Sequence, residues 1–192
     1  TAGGAASSAE DGGGYVKIRT SGATTIWSEQ SFSDLRGYPS AVAFHENRLA
    51  FGGTVFQPDA IWMSRTGRFY NFDTSEAADD SAINIVNASS EVHEIRYIKS
   101  YRDLQIFTAT SELYVPTYLN QAITPTNAQV RRQTPYGTMF VEPQALDGAT
   151  LFVQVGGRVV REYLYTDAED AYTSTAVSPI ASHLVDNPKS LT

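Results

Sequence analysis

SAVAFHENRLAFGG, Ser40 to Gly53, is the stretch whose reading decides the fold. Ser40 to Phe44 and Arg48 to Phe51 are short apolar segments. They flank the polar turn His45-Glu46-Asn47 and end at Gly52-Gly53, the pattern of a β-hairpin. Outward from it the same grammar recurs. Ala60 to Ser64 (AIWMS) reads as a strand closed by the turn Arg65-Thr66-Gly67, with Phe69, Tyr70 and Phe72 following. His93 to Lys99 alternates apolar and polar residues, Ser100 to Asp103 turns, and Leu104 to Thr108 (LQIFT) is a buried-type strand followed by Glu112 to Val115. Leu146 to Ala149 is a turn, Thr150 to Val155 a strand, and Gly156-Gly157 leads into the alternating Arg158 to Tyr165. Before the hairpin, Tyr15 to Arg19 and Thr24 to Trp27 carry strand patterns. The one helix-like stretch, Ser75 to Ala82, is too polar for a core helix. The chain is all-β.

Three hairpin units place Leu49, Leu104 and Leu151 at equivalent buried positions. The period is therefore about 50 residues, the spacing of propeller blades. The expected architecture is β-propeller-like, with about three to four blades of a larger propeller spanning residues 15–192; a β-sandwich with irregular loops is the alternative. Residues 1–14, TAGGAASSAEDGGG, are small or acidic and read as a flexible linker or loop. The chain begins at Thr1 without Met and is expected to be a portion of a longer protein, marginal when isolated because its terminal sheets would expose unpaired edges.

The 192 residues carry 42% hydrophobic and 18% charged side chains, a globular composition. Twenty-one acids against 14 Lys and Arg give a net charge of −7, which speaks against specific nucleic-acid binding. The same charge suits a surface past which DNA slides. Without cysteine there are no disulfides, thiolate nucleophiles or cysteine metal sites. No apolar run is long enough to span a bilayer as a helix.

Trp27 to Ser33 (WSEQSFS), Arg36 to Thr54 (RGYPSAVAFHENRLAFGGT) and Gln57 to Phe72 (QPDAIWMSRTGRFYNF) stand in an order that resembles the tail nozzle proteins, or tail tubular protein B, of short-tailed bacteriophages. Later pieces agree: Asp79 to Ile83, Ile123 to Asn127, Tyr136-Gly137, Phe152 to Tyr165, Asp170 to Tyr172 and His183-Leu184. The resemblance covers about Trp27 to Pro188 and implies a propeller-containing structural subunit of the virion tail, without enzymatic activity. It also implies a homo-oligomeric ring, such as a hexamer, that joins other tail proteins and walls the DNA ejection conduit. Six copies would bring about −42 to that wall. Such a subunit would be assembled in the host cytoplasm.

The residues singled out have two readings each. Arg36-Gly37-Tyr38-Pro39 sets the chain's turn into the hairpin, with a ligand role as the rival. His45 beside Glu46 could do acid–base work, but no activated nucleophile accompanies it, and a structural hydrogen bond is the simpler role. Phe44, Arg48, Leu49, Gly52 and Gly53 complete the hairpin motif, and Gly67 the following turn. Asp73, Glu76, Asp79 and Asp80 could hold Ca²⁺ but lack the spacing of a calcium loop. Ser64 to Tyr70 bears a faint likeness to the Asp-box turn of sialidase-type propellers, with Thr66 in place of the Asp. Trp62, Phe69, Tyr70 and Phe72 pack between blades or, in the rival reading, offer a sugar-stacking platform. Arg131-Arg132, the basic doublet, is expected to meet a neighbouring subunit or to lie exposed. No cofactor or metal is expected. The alternatives to a tail component are a carbohydrate-binding propeller or adhesin, and a propeller glycosidase with a close carboxylate pair.

Overall fold

A computed structural model describes residues 31–76, 78–86, 92–117, 122–177, 179 and 182–191. The linker assigned to residues 1–14, the strands expected at Tyr15–Arg19 and Thr24–Trp27, and the first part of the nozzle-like motif lie outside them. The chain divides into two units, Thr1–Ser31 and Phe32–Thr192, and the second contains every element below.

That unit is built from three four-stranded antiparallel sheets, each a meander in sequence order. The first holds β1 (Ala41–His45), β2 (Arg48–Gly52), β3 (Ala60–Met63) and β4 (Ile83–Val86). The second holds β5 (Ile95–Ser100), β6 (Leu104–Thr108), β7 (Glu112–Val115) and β8 (Arg131–Thr134). The third holds β9 (Gln144–Leu146), β10 (Ala149–Val153), β11 (Val160–Thr166) and β12 (Ala171–Ala176). A 3-10 turn spans Ser182–Leu184. The all-β reading holds.

The turns follow from their residues. Glu46 and Asn47 both adopt positive φ, 45° and 59°, so His45 pairs directly with Arg48 across a two-residue turn. Two consecutive positive-φ residues match the right-handed twist of the flanking strands. His45 is therefore a strand residue, a correction to the three-residue turn. Asp147-Gly148 does the same between β9 and β10, with Leu146 paired to Ala149. The Leu146–Ala149 turn shrinks accordingly, its two outer residues lying in strands.

The second sheet is buried on both faces, as the unbroken burial of β6 and β7 shows. Successive strand residues point to opposite faces. Leu104 and Ile106 of β6, with Leu113 and Val115 of β7, join Ala41, Ala50, Ile61, Met63 and Ile83 of the first sheet in one aliphatic core. Phe107 and Tyr114 turn the other way, onto Phe152, Tyr163 and Tyr172 of the third sheet. The three sheets thus stack in sequence order, one layer more than a two-sheet sandwich. Each fully buried aliphatic or aromatic side chain contributes about 1.5–3 kcal/mol.

Close approach of the first two sheets depends on Gly52. A Cβ there would stand 2.4 Å from Ile98 Cδ1 and 3.0 Å from Ile95 Cγ2. Gly52→Ala is expected to destabilise the domain by about 1–3 kcal/mol through overpacking. Shortening the opposing side chain in Gly52→Ala/Ile98→Val should recover part of that loss. Urea unfolding of the single and double variants checks it, and strictly additive losses would refute the contact as the cause.

Several expectations are corrected. β4, β8, β9 and β12 were not anticipated: they are three to six residues long, and β8 and β12 are polar. The Leu49–Leu104–Leu151 equivalence holds at the level of strands, since they lie on β2, β6 and β10, the second strand of each sheet. It fails for burial: Leu104 is fully buried, whereas Leu49 and Leu151 are only partly covered. Around Ser75 to Ala82 the described residues form bends and turns with no helix. Among the described residues no helix is long and apolar enough to cross a membrane.

Candidate functional site

The residues singled out in the hairpin converge on a buried polar clip. Arg48 begins β2 and is 1% exposed. Its guanidinium donates to three backbone carbonyls, Ser64 O (2.7 Å), Ser81 O (2.6 Å) and Asp79 O (3.0 Å). Among the described residues no acid forms an ion pair with it. Burial lowers its pKa from the usual arginine value, opposed by the charges of Asp80 and Glu46. One fork thereby fixes the connection from Ser64 to Ser81, where water would otherwise have to satisfy the carbonyls. Leu49 adds a bond from its N–H to Ser64 Oγ (2.9 Å).

His45 is buried, with Nδ1 2.9 Å from Ser100 Oγ and Nε2 3.4 Å from Thr117 Oγ1. Desolvation lowers its pKa, partly offset by Glu46 and Asp103. Glu46 points elsewhere, its carboxylate accepting the N–H of Ile123 at 3.1 Å. The two residues tie the hairpin to the second sheet and to the segment after β7, a structural role for each. His93 is likewise buried, between Thr110 Oγ1 (2.8 Å) and Ser111 Oγ (3.1 Å).

The outer face of the first sheet is aromatic. Phe32 sits edge-on to Trp62 (5.0 Å) and to Phe51 (5.7 Å), Phe72 stacks on Phe51, and Phe44 meets Phe69 edge-on. Trp62 is buried there, Phe72 half-buried, and Phe44 and Tyr70 exposed. Within Arg36-Gly37-Tyr38-Pro39, the Arg36 carbonyl accepts Phe56 N–H, and its guanidinium lies 5.3 Å from the Phe56 ring centroid. Gly37 has φ +82°, and a Cβ there would crowd Val55 at 3.1 Å. The exposed Tyr38 hydroxyl donates to Asp34, and Pro39 is half-buried. Gly53 (φ +60°) would clash with Pro58 O and Ser40 Oγ at 2.9 Å if given a side chain, whereas Gly67 (φ +68°) has open space around it.

The acidic segment does not close on a cation. Arg65 takes up Glu76 (2.7 Å) and Asp80 (2.8 Å), and Asp73 accepts the Ser75 N–H. Among the described residues no group of three or more His, Asp or Glu side chains is arranged to hold a metal. Arg131 and Arg132 begin β8 with exposed side chains, and each has an interaction partner.

A second polar constellation, unforeseen from the sequence, lies between the second and third sheets. The fully buried Glu112 accepts from Thr134 Oγ1 (2.6 Å), Thr138 Oγ1 (3.3 Å) and the Tyr136 N–H (3.4 Å). Thr134 continues to Ser174 on β12 (2.9 Å). Asp103 accepts the Tyr172 hydroxyl (2.8 Å) and the Thr117 N–H (2.7 Å), and Thr150 donates to Gln105 (2.6 Å). The Tyr163 hydroxyl is buried without a hydrogen-bond partner among the described residues, its ring stacked 4.5 Å from that of Tyr172. The one signal in the sequence was a polar residue inside each buried-type strand, Gln105 in LQIFT and Glu112 in ELYV.

Burial raises the Glu112 pKa above the ordinary 4.5, while its three donors and the Arg161 charge act in the opposite direction. Because the folded state binds this proton more tightly, the contribution favours folding fully below the unfolded value. It is lost as pH rises from about 4.5 through the folded-state value. Glu112→Gln removes the titration, so its stability relative to wild type should climb with pH across that window. Urea midpoints of both proteins at several pH values measure this, and a pH-independent difference would refute it.

No family model and no curated protein matches this chain. The geometry therefore carries the functional argument. Both interior carboxylates, Glu112 and Asp103, are enclosed between sheets and committed to hydroxyl and amide donors.

Proposed function

We propose that this chain is a structural portion of a bacteriophage tail component of the tail-nozzle kind, its three sheets acting as consecutive blades of a larger β-propeller, without a catalytic role. The observation that carries the reading is the stacking of three sequential four-stranded meanders, the middle one buried on both faces. Successive propeller blades pack in this way, each sheet covering the next. The order of motifs from Arg36 to Phe72 supports the family named by resemblance. The polar residues singled out hold loops and sheets together, as a rigid wall requires. In the ring, the surplus of acids would let DNA pass without adhering.

Electron cryo-microscopy of the assembled particle tests it. The expected result is a closed ring with these sheets in its wall and an acidic lumen. A monomer with no ring would overturn the reading. Duplex DNA should show no mobility shift with this chain at physiological ionic strength.

The exposed Phe44, Phe69 and Tyr70 on and beside the outer sheet face favour a second reading, a carbohydrate-binding domain. Saturable binding on a glycan array, lost in Tyr70→Ala, would decide for it.

A further inference from the structure

A sheet edge is a template for another strand unless something blunts it. The three sheets have six terminal strands, and five are managed. β1 packs against β5, and β8 against β12. β5 and β8 also carry Arg96, Lys99, Arg131 and Arg132, and β9 is only three residues long. β4 is the exception. Its sequence, Ile-Asn-Ile-Val, has no charge, no proline and no glycine, and among the described residues it pairs only with β3. Its burial alternates, with Asn84 and Val86 exposed.

A cleft of about 410 Å³ runs along this strand. Ala82 and Ile83–Val86 line it, and Thr74, Glu76, Pro125 and Ala128 complete the lining. Chain of strand width could lie there, bonding its backbone to the open edge while alternate side chains meet the cleft. The loop beside it carries Asp73, Glu76, Asp79 and Asp80, and Arg65 answers two of the four. Pairing β4 with β4 of a second copy would bring two such acidic loops together, in a chain already at net −7.

We propose that β4 is a docking edge for an extended segment of a different protein, apolar at alternate positions and flanked by Lys or Arg, which adds as a fifth strand to the first sheet. The inference stands whether or not the chain belongs to a tail. It assigns a binding mode to an edge left unpaired among the described residues.

The test uses the whole chain and a fluorescein-labelled peptide of alternating valine and threonine with lysines at both ends. Saturable anisotropy binding is expected, with amide hydrogen exchange slowed at Ile83–Val86. Two N-methylated forms of the peptide, blocked on alternate backbone nitrogens, separate strand addition from simple adhesion. Blocking the set that faces β4 should weaken binding about tenfold or more, because those nitrogens lose their hydrogen bonds, while the other set binds like the parent. A peptide with glutamates in place of the lysines should also bind about tenfold more weakly.

Absence of saturable binding overturns the proposal. Equal binding of both methylated forms does the same, as does protection elsewhere in the chain or equal binding of the acidic peptide. A dimer on light scattering with the same amides protected before any peptide is added overturns it in favour of a second copy.

Discussion

Arg48→Ala is expected to lower unfolding stability by about 3–5 kcal/mol, the cost of taking a shared donor away from buried carbonyls. Three carbonyls, of Ser64, Asp79 and Ser81, lose their donor together, and two of these bonds are 2.7 Å or shorter. Each carbonyl left buried and unpaired costs about 1–3 kcal/mol before any relaxation. For a domain of this size such a loss lowers the melting temperature by roughly 10 °C or more. Arg48→Lys should fall between, because an ammonium keeps the charge but cannot fork to carbonyls of separate segments. Urea denaturation gives the energies. Hydrogen exchange should show the Ser64–Ser81 connection loosening before the rest of the first sheet. A loss below about 0.5 kcal/mol for the alanine variant would show that water replaces the guanidinium at no cost.

Gly137→Ala should be as severe for a different reason. Gly137 has φ +70°, and a Cβ would stand 2.3 Å from Ala109 O and 2.8 Å from Ala109 C. Those are backbone atoms of the β6–β7 turn, which cannot rotate aside as a side chain can. The strand bonds on either side hold the segment in place: Thr138 N–H donates to Thr108 O, and Val155 N–H to Gly137 O. The left-handed conformation costs a non-glycine residue about 1–2 kcal/mol, and the overlap adds about 1–3 more. Gly67→Ala is the internal control. Its φ is +68°, nearly the same, but nothing lies within 4 Å, so only the backbone cost of about 1 kcal/mol should appear. Equal losses at the two positions would show that the close approach at Gly137 contributes nothing.

The pair illustrates how legible the chain is from its residues. Both glycines lie between strands, and the sequence offers no way to rank them, because the atoms that make Gly137 irreplaceable belong to the β6–β7 turn, far back along the chain. Arg48 is similar. Its place beside a turn suggested a local motif, whereas its partners lie 16 to 33 residues further along the chain. Strands β6 and β7 were recognised to the residue because short, mostly apolar runs bounded by turn residues have few alternatives. β4 escaped notice because four residues carry too little pattern, although it is the strand that leaves an open edge among the described residues.

What the sequence determined by itself is local: the class of structure, the hairpins, and turns whose positive φ values fall, apart from Glu46, on Asn, Asp and Gly. Period-two alternation also marks which residues share a face. Only the tertiary structure decided what each face meets. β6 reads as one buried strand, but folding sends Leu104 and Ile106 into an aliphatic core and Gln105 and Phe107 into a polar, aromatic seam with the third sheet. Backbone geometry fixes alternation within a few residues, whereas the partner of a buried polar group is set by sheet stacking and can lie anywhere in the chain. Glu112, with donors from 22 to 26 residues away, acquires its raised pKa from that stacking.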